Sequence, residues 1–105
     1  MPKWAHGHKK HSQGSPTYNS WASMKQRCLN PKDSYWHRYG GRGIQICPTW
    51  LKFENFLRDM GVRPEGKTLD RIENDLHYMP GNCQWATPEE QRRNQSAQNP
   101  VAEAQ

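Results

Sequence analysis

The sequence predicts an α+β domain: two N-terminal helices and a short glycine-rich strand segment, followed by a C-terminal ββα hairpin. Three patterns carry this. Apolar residues recur at helical spacing from Tyr18 to Leu29 and again from Trp50 to Met60. Two alternating stretches, 68–73 and 82–86, flank a turn-rich segment that contains Pro80-Gly81. Thr87-Pro88-Glu89-Glu90 then has the form of a capping box, in which the first and last side chains satisfy each other's free backbone N–H groups.

Each element has a local cause. Ser15-Pro16-Thr17 opens the first helix, because Ser or Thr can cap and the fixed φ of proline suits a first turn. Tyr18, Trp21, Ala22, Cys28 and Leu29 form its apolar face, Lys25 interrupts that face, and the pattern stops at Asn30-Pro31. In YWHRYGGRGIQIC, residues 35–47, the glycines release the backbone and Ile44 and Ile46 alternate with Gln45, so a loop should lead into a short strand. The second helix follows Pro48, with Thr49 as cap, Trp50, Phe53, Phe56, Leu57 and Met60 as its stripe, and Gly61 as its C-terminal cap. Thr68 to Glu73 and Asn82 to Ala86 read as the two strands, and a helix runs from the capping box through Gln91, Arg92, Arg93 and Asn94.

A chain of 105 residues has room for one small domain with a thin core. Residues 1–15 and 95–105 are mostly polar and without periodicity, and both read as disordered tails. The domain between them, Pro16 to about Asn94, holds four of the five tryptophans, all the tyrosines and both phenylalanines, so its core should be aromatic. Fifteen Lys and Arg against ten Asp and Glu leave a formal charge of +5, which suits DNA or RNA, although a basic protein without that role has the same balance. No stretch reaches the roughly twenty apolar residues of a membrane span, and the N-terminus lacks a signal-peptide core, so a cytoplasmic protein is expected. Cys28, Cys47 and Cys83 are odd in number and widely spaced, which fits a reducing compartment and no disulfide framework.

TLDRIENDLHYMPGNCQWATPEEQ resembles the core of HNH endonucleases, in which a D-H-I-D-like strand is followed by an N-L-x-W-x-T strand and a helix. The preceding YGGRGIQICPTWLKFENFLRDMG is similar to the upstream part of phage and homing-type members; together the two cover about half the chain, Tyr39 to Gln91. The resemblance implies nicking or cutting of DNA with a divalent ion, Mg²⁺ or Mn²⁺, that neutralises charge on the phosphate while a base activates water. It puts Asp70 at the metal-binding carboxylate and Asn82 at the central asparagine that holds the hairpin loop. It also implies a donor on the final helix, for which Gln91 is the first choice and Asn94 the second. Without the resemblance, Asp70 would read as a strand-end carboxylate paired with an arginine and Asn82 as a turn residue after Pro80-Gly81.

Arg71 departs from the pattern, because the family's usual histidine base belongs there and a guanidinium cannot take a proton. Either Arg71 clamps the scissile phosphate while Tyr39, His37 or His77 acts as base, with Tyr39 ranked first, or the hairpin is a catalytically silent DNA-binding module. Cys28, Cys47 and Cys83 with a histidine could form a structural zinc site, but no close Cys pair is present, and Cys83 stands where many relatives have Leu, which favours a buried apolar role. DNA contacts are expected from Arg38, Arg42, Arg71, Arg92 and Arg93, with reach added by Lys3, Lys9 and Lys10. Arg92 and Arg93 would also suit the negative end of a helix dipole. His6, His8 and His11 read as part of a flexible cationic tail.

Overall fold

A computed structural model describes residues 14–97 of the chain. The expectations for Lys3, His6, His8, Lys9, Lys10 and His11, and for the chain beyond 97, lie outside the described residues.

Helix α1 spans Pro16–Leu29, and the Ser15 hydroxyl caps it by accepting the Tyr18 N–H at 3.1 Å. Its buried line is Thr17, Trp21, Met24 and Cys28. The flanking line Tyr18, Ala22, Lys25 and Leu29 is covered only over its first half, so Leu29, expected in the stripe, is exposed while Met24 is fully buried. Lys25 does not break the face: its ammonium lies over the Trp21 ring, 4.4 Å from the centroid.

The expected loop and strand of 35–47 are replaced by 3₁₀ turns at Trp36–Arg38 and Gly40–Arg42 and a single parallel bridge from Ile46 to Tyr78. The alternation itself is present, since Ile44 and Ile46 are both buried. Their partner, however, is the turn-rich segment, whose backbone gives Tyr78 N–H to the Gln45 carbonyl and the Tyr78 carbonyl to Cys47 N–H, both at 2.9 Å. Gly40 is required by close packing, because a Cβ there would overlap the Trp36 ring and the Cys28 carbonyl.

The second helix is divided. Pro48–Leu51 is a 3₁₀ turn, and helix α2 spans Phe53–Met60 with Lys52, not Thr49, at its N-cap. The break folds Trp50 back on α2: its ring meets Phe56 edge-on at 5.0 Å, and its indole N–H donates to Asp59 Oδ2 at 2.8 Å. Residues nine apart in one continuous helix would be about 13 Å apart along the axis. Gly61 closes α2 as expected, with φ 72° and its N–H on the Leu57 carbonyl.

Strands β1 (Thr68–Arg71) and β2 (Cys83–Ala86) pair antiparallel, with Leu69 opposite Trp85 and Asp70 opposite Gln84. The capping box forms in both directions: Thr87 N–H donates to Glu90 Oε1 at 2.8 Å, and Glu90 N–H to Thr87 Oγ1 at 3.1 Å. Helix α3 spans Pro88–Ala97, so the tail expected from 95 begins as helix; the next proline is Pro100. The core joins these pieces through tryptophan. Trp21 Nε1 donates to the Trp50 carbonyl at 2.7 Å and Trp85 Nε1 to the Met60 carbonyl at 2.8 Å, so each buried indole has a partner for its polar edge. The domain is α+β, as expected.

Candidate nucleic-acid cleft

Strand alternation puts Leu69 and Arg71 on one face of the hairpin and Asp70 on the other, beneath α3. Asp70 is 8% exposed. Its Oδ2 accepts two neutral amide donors, Gln84 Nε2 at 3.1 Å from the facing strand position and Asn94 Nδ2 at 3.2 Å from α3. Among the described residues the ion pairs are Arg42 with Asp75 and Arg58 with Asp59, so Asp70 is not part of an arginine pair. Both hydrogen-bond donors to the carboxylate are therefore neutral amides.

Of the two helix residues proposed as ligands, Asn94 is the one brought to Asp70. Gln91, a turn earlier, donates to Thr68 Oγ1 at 2.5 Å and to the Ala86 carbonyl at 3.0 Å, strapping α3 to the outer end of the hairpin. Asn94 presents its nitrogen, which also donates to the Arg71 carbonyl at 3.1 Å, so it orients the carboxylate. Ligation through its oxygen would need the amide to turn over.

Asn82 holds the loop between the strands. Buried to 3% exposure, it accepts Glu73 N–H at 2.9 Å and donates to the carbonyls of His77 at 2.9 Å and Glu73 at 3.3 Å. Arg71 clamps the same loop: its Nη1 donates to the carbonyls of Asn74 and Leu76. Its guanidinium carbon also lies 5.3 Å from the ring centroids of both Tyr39 and Tyr78. Arg71 therefore has a structural task.

A cleft of about 230 Å³ opens over Asp70 and Arg71, walled by Arg38, Tyr39, Arg42 and Tyr78. Of the three ranked bases only Tyr39 lines it. His77 accepts the Gln45 N–H on Nδ1 at 3.0 Å, which puts the proton of the neutral ring on Nε2 and leaves no free lone pair. His37 belongs to the 3₁₀ turn Trp36–Arg38 and is not in the wall. Arg38 and Arg42 are, and Arg42 is tied to the exposed Asp75 at 2.7 Å. Arg92 and Arg93 are exposed and line neither of the two cavities of this face. With α3 reaching Ala97 they sit mid-helix, so the dipole role expected of them has no place, and the last turn carries no basic residue.

Four residues of the site escaped the sequence reading. Gln84 follows from the strand register, since it stands directly across from Asp70. Tyr78 was hidden in a segment that reads as turn, and Gln95, in the cleft wall, lay beyond the assumed end of the helix. Arg27, on α1, donates to the Tyr78 hydroxyl at 3.1 Å and carried no signal of its own.

The three cysteines are free, and among the described residues no three His, Cys, Asp or Glu side chains stand together as a metal-holding group. Burial pushes the Cys28 thiol up to about 11 and the Cys83 thiol up to about 12, with the charge of Arg71 opposing both shifts. Helices long and apolar enough to cross a membrane are absent among the described residues. Compared with family models, with curated proteins and with solved structures, the chain matches none of them.

Proposed function

We propose that the cleft binds the DNA backbone and hydrolyses a phosphodiester bond beside Asp70 with the help of Mg²⁺ or Mn²⁺, the activity that the resemblance to HNH endonucleases implies. One observation carries the reading: a buried carboxylate without a cationic partner faces a cleft whose other charged walls are Arg38, Arg42 and Arg71. One carboxylate could hold a hard cation that keeps most of its waters and shares the substrate phosphate. Such an ion, when bound, would neutralise charge on the phosphate and the leaving oxygen. The chain's own side chains divide the remaining work. Gln84 and Asn94 fix the rotamer of Asp70, Asn82 and Arg71 hold the loop, the cleft arginines attract the backbone, and Tyr39 stands as the residue to take a proton.

A second reading has an observation in its favour. Arg71 occupies the base position and spends Nη1 on loop carbonyls, and neither ranked histidine lines the cleft, as suits a silent DNA-binding module on the same scaffold. Nicking of supercoiled plasmid separates the two. The enzyme reading expects nicking that needs Mg²⁺ or Mn²⁺, stops in EDTA, and is lost in Asp70→Asn and strongly reduced in Tyr39→Phe while the circular dichroism spectrum is kept. Salt-dependent DNA binding with no nicking under any of these ions supports the silent module. Affinity that does not change with salt removes DNA as the partner in both readings.

A further inference from the structure

A second cavity of about 340 Å³ adjoins the cleft; Tyr39, Leu69 and Gln91 wall both. Its other side is one face of α1, where Asn19, Ser23 and Arg27 follow at four-residue spacing with Ser20 beside them, and Arg63 closes it. The lining carries two guanidinium groups, hydroxyls, amides and a phenol, and no carboxylate. Both arginines are held in place. Arg27 donates to the Tyr78 hydroxyl and lies 4.9 Å from the Tyr39 ring centroid. Arg63 donates from Nε to the Lys67 carbonyl at 2.6 Å and from Nη1 to Ser20 Oγ at 3.1 Å.

Neither arginine has a counter-ion among the described residues, whose ion pairs are Arg42–Asp75 and Arg58–Asp59. Arg27 Nε is moreover a buried donor with no hydrogen-bond partner. Burying a guanidinium costs free energy unless an anion and hydrogen bonds compensate it, and here the protein supplies hydroxyls and amides but no anion. Fixed, forked donors of this kind match a tetrahedral oxyanion. We infer that this cavity is a second phosphate site, which holds a phosphodiester next to the one over Asp70 on the same nucleic-acid strand. The inference rests on the reading of the cleft as a DNA site and adds α1 to the bound surface. The shared walls are the reason for choosing a strand over a free anion, since an occupant there is continuous with whatever lies over Asp70.

The test places a negative charge at the rim, where the fold tolerates it: Asn19→Asp and Ser23→Asp, both at exposed positions. Lys52→Gln, at an exposed residue lining neither cavity, makes the same change in net charge and serves as control. Binding of a fluorescent DNA duplex is followed by anisotropy across a salt series. Each rim variant is expected to weaken binding and to flatten the log–log salt slope by about 0.9, the loss of one phosphate contact, with the control close to the parent. If both rim variants keep the parent's affinity and slope while Arg38→Ala weakens binding, the second site is wrong and the cleft reading stands. If the parent itself shows no salt-dependent affinity, both fall. An NMR titration identifies the source of the anion: perturbation of the backbone amides of 19, 20 and 23 by duplex supports the strand. Perturbation by inorganic phosphate with none by duplex overturns it in favour of a small-anion pocket.

Discussion

Replacing Asn82 by Ala should destabilise the hairpin strongly. The side chain is buried and makes three hydrogen bonds, one accepted from Glu73 N–H and two donated to the carbonyls of Glu73 and His77. At a net ~1 kcal/mol each, their loss destabilises the domain by about 3 kcal/mol, a large part of the roughly 5–15 kcal/mol that holds a small domain folded. For a domain of this size the midpoint of thermal unfolding should fall by about 12–24 °C. Urea unfolding followed by tryptophan fluorescence reads the loss, and exchange of the Glu73 amide reads its location, with protection expected to drop by about two orders of magnitude. Asn82→Asp is a sharper companion. Its carboxylate keeps the acceptor for Glu73 N–H but turns an oxygen toward two carbonyls, which raises its pKa in the folded state above the ordinary ~3.9. That variant should be most stable at low pH and lose stability as pH rises through the raised value. A loss under about 1 kcal/mol in the Ala variant, with Glu73 exchange unchanged, would refute the assignment of Asn82 as the tie that holds the loop.

Two further expectations follow from buried groups. Cys28 and Cys83, whose thiols burial pushes up to about 11 and about 12, should resist iodoacetamide at pH 8 until denaturant is added; mass spectrometry of the alkylated protein checks this. Burial also raises the Tyr78 phenol above its ordinary 10.0 against the opposing charge of Arg27, so its stabilising contribution is present below pH 10 and is lost as pH rises through the folded value. Alkaline unfolding monitored with tyrosinate absorbance should show this, and Tyr78→Phe should remove that part of the pH dependence.

What could be read from the sequence was what neighbouring residues decide among themselves. Thr87-Pro88-Glu89-Glu90 needs no tertiary partner to cap a helix, and its two reciprocal bonds are in place. The strands were legible because their alternation is local, and their register then brings Gln84 to Asp70. Trp50 reads as the start of a helical stripe until Asp59 and Phe56 claim it from the far side of a break, a contact no periodicity encodes. The same holds for Ile46, whose bridging partner lies in a segment dominated by turn residues. In the site, Asp70 and Asn82 stood out through their motif, whereas the choice between Gln91 and Asn94 turns on one helical turn. The way α3 lies across the hairpin brings Asn94 to Asp70 and Gln91 to Thr68 and Ala86.

The two hydrogen bonds from Arg71 to the loop have a consequence for how this position can change. A neutral imidazole carries one N–H on a short stem, so a histidine here would surrender at least one of the carbonyls of Asn74 and Leu76 and both ring contacts. Placing a histidine at position 71 would thus remove a fastening of the loop. Another donor to the loop carbonyls would offset that loss, so the effect of a histidine at 71 depends on what else reaches Asn74 and Leu76.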